Sequence, residues 1–239
     1  VYMTDFGLQP WIKMELLMEN CKELIWIDHH QSAIDDYKAS GLNTHGIQRV
    51  GIGACQLAWE WFNGPTNVPD AIQLLAQWDV WDHSDPRSNH FQYGMRALQT
   101  DPAQDKTKYL WDMLLGDHSD DLVAEICESG HMVYAYAMKS VRGYVANYSF
   151  DTEIEGLRAI AVNKMSCNSL AFEDAFDPER HDCMLSFGWT GSCWTVSLYS
   201  KSDGPDVSKI AKSWGGGGHR CAAGFQVKSK CCNDLPFKI

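Results

Sequence analysis

Four clusters in this 239-residue sequence have the residue types and spacing that chemistry needs. Asp5 closes the apolar run VYMTDF, and Asp28-His29-His30 closes ELIWIDHH. Further on, Trp78-Asp79-Val80-Trp81-Asp82-His83 sets two carboxylates at i, i+3 spacing. Near the C-terminus, Gly215, Gly216, Gly217 and Gly218 run directly into His219. Carboxylates and imidazoles make a mixed oxygen and nitrogen donor set, which suits Mn²⁺ or another hard-to-borderline divalent ion. A glycine run reaches backbone conformations closed to other residues, so its successive N–H groups can converge as an anion-binding nest, with His219 placed to contact a phosphate.

Each cluster has a plainer alternative. An acid after a strand commonly caps a helix, which would account for Asp5 alone. The histidine pair could lie in a surface loop, although two neighbouring imidazoles beside an acid are costly to orient without purpose. Asp79 and Asp82 are expected to share a helix face, as metal ligands or as a solvated surface. Trp78 and Trp81 are expected in the core, with a base-stacking surface as the alternative. The glycine run could be a linker, against which the apolar Ala222-Ala223-Gly224-Phe225 speaks. It is no dinucleotide-binding loop, because it follows a helix rather than a strand. His45, His90, His118, His131 and His181 show no ligand spacing and are assigned surface or structural roles.

The elements that must position these residues follow from periodicity. Residues 1–6 and 23–30 read as strands, with a helix at 10–21 between them that opens on Pro10. Strand, helix, strand at these lengths is a βαβ unit, hence a parallel sheet, whose strand carboxyl ends line a ligand crevice. Residues 53–62 and 69–83 read as helices, the first stopped by Asn63-Gly64-Pro65. Residues 119–147 read as a largely helical connector, its continuity made doubtful by Gly130 and Gly143. Beyond it 157–163, 183–189 and 193–200 read as strands, the last two joined by a hairpin at Thr190-Gly191-Ser192, and 206–214 as a short helix. The expected domains are 1–118, a connector at 119–150, and 151–239.

Composition bounds the partners. The net charge is −11, from 31 acidic residues against 20 Lys and Arg. Long nucleic acid is held by clustered basic residues that displace counterions, so the expected phosphate partner is short and locally gripped. No apolar run approaches a membrane span, so no membrane partner is expected. The nine cysteines lack a CxxC pair and suit reduced thiols. With no export leader, that points to the cytoplasm.

In this order, VYMTDF, IWIDHH, QWDVWD and DVSKIAKSWGGGGHRCAAGF resemble the DHH phosphoesterase superfamily, and more narrowly its members with a C-terminal DHHA1 domain. The resemblance spans nearly the whole chain. It implies an α/β fold: a parallel-sheet DHH domain joined by a helical connector to a smaller α/β DHHA1 domain, with the active site in the cleft between them. It implies hydrolysis of phosphoester or phosphoanhydride bonds with two divalent ions, usually Mn²⁺, with Mg²⁺ or Co²⁺ as alternatives. By position, Asp5 matches the bridging metal carboxylate, His29 a metal ligand and Asp79 the last metal carboxylate, with Asp82 as its fallback. His30 matches the residue beside the scissile phosphate, Asp28 the acid orienting the pair, and Gly216, Gly217, Gly218 and His219 the loop holding the substrate's phosphate end.

The expected substrate is a short nucleotide or oligonucleotide phosphodiester. Alternatives are a phosphoanhydride hydrolase or a non-catalytic nucleotide-binding protein, and a homodimer is left open. The pattern departs from the family twice. The first motif, a His and two Asp, is absent before Asp5. The expectation is therefore a chain that begins partway through its domain and is inactive or nearly so as it stands. Tyr199 also occupies a position where relatives often carry a phosphate-pairing Arg.

Overall fold

A computed structural model of the chain describes residues 1–116, 119–229 and 231–238. His118 and the expected domain limit at residue 118 lie outside the described residues. The chain is α/β and divides into two compact units, Val1–Tyr136 and Ala137–Ile239.

In the first unit, β1 (Tyr2–Thr4), α1 (Ile12–Asn20) and β2 (Ile25–Ile27) form the expected βαβ crossover, with Tyr2 opposite Ile25 and Thr4 opposite Ile27 in parallel register. β2 is buried on both faces, which is why it reads as an unbroken apolar run. Trp26 packs with Met3, Met14, Ala33 and Ile34, while Ile25 and Ile27 pack with Leu57. On its other edge the Trp26 N–H donates to the His45 carbonyl at 2.8 Å and the Asp28 N–H to the Ile47 carbonyl at 3.0 Å. Gly46 makes this approach feasible: its φ is +126°, and a Cβ there would lie 1.8 Å from the Trp26 carbonyl oxygen.

Helices α2 (Gln31–Ser40), α3 (Ala54–Asn63), α4 (Asp70–Asp79), α5 (Arg87–Ala97), α6 (Asp105–Leu114) and α7 (Ser119–Tyr148) follow. Ala71, Leu74, Phe91, Met95, Leu114, Val123, Ile126 and Cys127 form a shared helical core. Two expectations are corrected here. Gly130 does not interrupt α7, which runs unbroken for 30 residues. A Cβ at Gly130 would lie 1.8 Å from the His90 carbonyl oxygen, and one at Gly94 would lie 2.3 Å from that of Ile126. The glycine is a close-packing site on a helix, and tertiary contact offsets its poor propensity. The helix at 69–83 is also shorter than its pattern suggests. It stops at Asp79, and Trp81 turns left-handed at φ +62°, so Asp82 does not share a helix face with Asp79.

The second unit holds β3 (Ser149–Ile154), β4 (Leu157–Asn163), β5 (Cys183–Trp189), β6 (Trp194–Tyr199), α8 (Val207–Ser213), β7 (Gly217–His219) and β8 (Ala222–Val227). The strands make one mixed sheet in the order β3-β4-β5-β6-β8-β7, with only β4 and β5 parallel. Period-two alternation sorts the core. Ala159, Ala161, Leu185 and Phe187 face Val207 and Ala211 of α8, whereas Ile160, Val162 and Met184 face Val145 and Phe172. The Asp206 carboxylate caps α8 by accepting from the Ser208 N–H at 3.1 Å. The linker alternative for the glycine run fails, because Gly217–His219 is the edge strand β7, with Gly218 opposite Ala223.

All nine cysteines are free thiols. Among the described residues no helix is long and apolar enough to cross a membrane.

Candidate metal centre

Three chain segments of the first unit bring their polar ends together. Asp5 lies one residue beyond β1, where its N–H donates to the Ile27 carbonyl at 2.9 Å. Its φ of +67° is left-handed, a conformation that Asp tolerates better than most residues. Asp28, His29 and His30 follow β2 directly, and Asp79 is the last residue of α4. The pleat turns His29 inward, where it is 2% exposed, while Asp28 is fully buried.

The His29 Nε2 atom lies 3.1 Å from Asp5 Oδ1 and 3.2 Å from Asp79 Oδ2. One imidazole nitrogen carries at most one proton, so it cannot satisfy two carboxylates at once by hydrogen bonding. Donor atoms at about 2.1 Å from a common ion, at right angles, lie about 3.0 Å apart. The spacing and the donor chemistry therefore fit a divalent ion held by Asp5, His29 and Asp79. Ligand atoms of Asp5, Asp28, His29 and His30 also lie within 4.8 Å of one another.

Asp28 serves a different purpose. Its Oδ1 accepts from the N–H groups of His29 at 2.7 Å and His30 at 3.2 Å, and lies 2.7 Å from His30 Nδ1. A carboxylate only accepts, so the His30 proton sits on Nδ1 and Nε2 points away from Asp28. The second oxygen, Oδ2, is buried without a hydrogen-bond partner among the described residues. The His30 ring is raised above its ordinary pKa, chiefly by the Asp28 hydrogen bond, with burial opposing and the charges of Asp28, Asp5 and Asp79 adding. Asp79 is also raised, first by burial; His29 opposes this and the Asp5 charge adds to it.

The N–H of Ala54, the first residue of α3, also faces the Asp79 carboxylate and lowers its pKa against the effect of burial. Sequence reasoning missed this contact. Its signal is Gly53: a Cβ there would lie 2.7 Å from the Ala76 Cα, so only glycine lets the start of α3 approach α4 this closely.

Asp82 accepts from the Ser84 N–H at 2.9 Å, and hydrogen bonding to Ser84 lowers its pKa. Trp81 is 40% exposed, which corrects the expectation of a core residue. Gly216 precedes β7, and Gly217, Gly218 and His219 form it, in the second unit. There Tyr199 donates its hydroxyl to the Cys167 carbonyl at 2.8 Å, and burial raises its pKa. It packs against the Phe172 side of the sheet.

No family model matches the sequence. An uncharacterized protein, R106, of Acanthamoeba polyphaga mimivirus is 26% identical over 250 residues, covering all of this chain and 55% of that protein. The chain thus spans about half the length of the curated relative it matches. Among solved structures it is similar to an exopolyphosphatase-related protein from Bacteroides fragilis, at 15% identity and TM-score 0.48, covering 96% of this chain and 66% of that one. It is also similar to the pGpG-specific phosphodiesterase PggH from Vibrio cholerae, at 12% identity and TM-score 0.45, covering 87% and 75%. The DHH domain of a member of a ribosomal protein family aligns at 13% identity and TM-score 0.46, covering 95% and 65%.

Proposed function

We propose that this chain is a metal-dependent phosphohydrolase of the DHH type that cleaves phosphodiester bonds in short nucleotide-containing substrates. The carrying observation is the placement of His29 Nε2 between Asp5 and Asp79, three residues drawn from three separate elements. Two divalent ions are proposed, Mn²⁺ first, with Mg²⁺ or Co²⁺ as alternatives. When bound, they supply Lewis-acid polarisation of the phosphoryl group and an acidified water.

The protein's own residues do the rest. Asp5, His29 and Asp79 hold the centre. Asp28 fixes the His30 tautomer, so that Nε2 is the atom presented to substrate; the ring is 33% exposed. With its proton held to higher pH by Asp28, His30 stabilises the phosphoryl oxygens or gives a proton to the departing oxygen. Gly216, Gly217, Gly218 and His219 take the role the resemblance gives them, gripping a substrate phosphate. A net charge of −11 offers little hold on a longer polyanion, which favours short substrates.

The test is mononucleotide release from a dinucleotide by the full-length protein, with and without Mn²⁺. We expect Mn²⁺-dependent turnover that His29→Ala and Asp79→Asn abolish, together with their Mn²⁺ binding. His219→Ala should raise KM for dinucleotides more than for a small chromogenic phosphodiester. Turnover of polyphosphate but not of dinucleotides would move the reading to a phosphoanhydride hydrolase. Nucleotide binding without any turnover would leave a binding protein.

A further inference from the structure

Trp81 stands in a backbone conformation that suits it badly. Its φ is +62°, the left-handed region that glycine and asparagine enter easily and bulky residues rarely do. Such a side chain is ordinarily kept there because the core needs its volume. Here the core does not, because Trp81 is 40% exposed whereas Trp26 is fully buried. A left-handed, exposed indole is a local cost without a packing return, and such costs concentrate at ligand-binding positions.

The ring is nevertheless held. The His83 ring meets it edge-on, with centroids 4.7 Å apart and planes at 76°, and Trp78 meets it at 6.2 Å and 66°. Trp78 is itself fixed by the Arg96 guanidinium, 4.7 Å from its ring centroid. His83 is tied to Asn89, whose side-chain nitrogen lies 3.3 Å from His83 Nδ1. Perpendicular neighbours brace an aromatic ring without stacking over it.

The chemistry around the ring selects the ligand. Residues 80–87 read Val-Trp-Asp-His-Ser-Asp-Pro-Arg, and Arg87 is already paired with Asp85 and Asp70, which leaves the Asp82 charge uncompensated by it. That segment repels phosphate, so the part of a ligand it receives must be flat and uncharged. Trp81 is also only two residues past Asp79, the last residue of α4. We propose that Trp81 is the stacking platform for a nucleobase of the substrate, carried by the nucleotide whose phosphate reaches the Asp5–His29–Asp79 centre. This rests on the phosphodiesterase reading and deepens it: the platform distinguishes a nucleotide substrate from a bare polyphosphate. Base–aromatic stacking tolerates any base, so the platform gives affinity for nucleotides without choosing among them.

Two measurements test it. The first compares Mn²⁺-dependent kcat/KM for a dinucleotide and for its analogue with both bases removed, in wild type, Trp81→Phe and Trp81→Ala. The preference for the dinucleotide should fall roughly tenfold to a hundredfold in Trp81→Ala and largely survive in Trp81→Phe. An unchanged preference in Trp81→Ala overturns the platform even if turnover is robust. The second measurement needs no catalysis: AMP and ribose 5-phosphate are titrated calorimetrically against the same three proteins. Wild type and Trp81→Phe should prefer AMP, and Trp81→Ala should bind both alike. If hydrolysis is absent but this difference holds, the phosphodiesterase reading fails and the base platform stands. If AMP and ribose 5-phosphate bind wild type equally, the platform is wrong. Thermal unfolding of each variant, matched to wild type, shows that the comparison concerns folded protein.

Discussion

Each unit holds a buried histidine paired with aspartate, and the two pairs differ in how their partners are counted. His181, 4% exposed, receives the Asp177 N–H on Nδ1 at 3.0 Å and places Nε2 3.0 Å from Asp151. Each ring nitrogen has one complementary partner, and the pair ties the 177–182 turn to β3. His29 offers a single nitrogen to two carboxylates from different elements. A structural pair matches one donor to one acceptor. We read a centre that crowds acceptors around one nitrogen as arranged for something with more positive charge than a proton.

The contrast breaks most easily at the two histidines. His29→Ala should bring hydrolysis to background and remove Mn²⁺ binding. Its effect on the metal-free thermal midpoint should be the smaller of the two, because the imidazole it removes offsets repulsion between Asp5 and Asp79 but does not tie elements together by matched hydrogen bonds. His181→Ala should do the reverse. It strands the Asp177 N–H and loosens β3, at about 1–3 kcal/mol, which is several degrees of midpoint for a unit of this size. Calorimetry with Mn²⁺ titration reads both. If His29→Ala destabilises as much as His181→Ala and keeps its metal affinity, the distinction fails.

Smaller effects sharpen it. His30→Ala should cost roughly a hundredfold to ten-thousandfold in kcat while keeping metal affinity, as expected of a proton-handling group. Asp28→Asn should cost about tenfold to a hundredfold, since it disturbs the orientation of His30 rather than removing it. Asp82→Asn, which touches only its own turn, should leave turnover within about twofold. A larger loss in Asp82→Asn than in Asp79→Asn would move the last ligand to Asp82.

The gentlest prediction concerns acid. Hydrogen bonds from His181 and Arg180 hold Asp151 below the ordinary carboxylate pKa. A depressed folded pKa adds stability above the unfolded value, near 3.9, and that contribution disappears as pH falls through the folded value. Asp151→Asn should therefore lose stability at neutral pH and show a shallower decline below about pH 4, measured by urea unfolding at successive pH values. An identical acid limb in both proteins would assign the depression no role in folding.

What the sequence shows of this molecule is mostly what lies within one period of its own chain. β4 and β5 begin and end where their apolar runs do, because both faces of each strand are covered. The βαβ crossover and the Asp206-capped α8 are visible for the same local reasons. α2 and α5 are not legible as helices. α2 buries only Ala33 and Ile34, and α5 buries Ser88 and Gly94 beside Phe91 and Met95, so neither presents an apolar stripe. Their helicity is decided by packing. The site divides along the same line. Asp28, His29 and His30 are legible because β2 delivers them together, but the arrival of Asp79 depends on α3 and α4 meeting at Gly53 and Ala76. The exposure of Trp81 is hidden too, since the pattern at 69–83 continues past the residue where the helix stops.

Gly46 carries a consequence for anyone charting tolerance to substitution along this gene. It has no side chain to offer a metal or a substrate, and in sequence it stands well away from the histidine pair. In space its backbone rests against the carbonyl of Trp26, two residues before Asp28. A saturation library scored for turnover would rank position 46 beside His29, since any side chain there would push β2 away from its neighbour. Scored for soluble yield, the two positions would separate: replacements at 46 would deplete the folded protein, and those at 29 would accumulate as intact, silent protein.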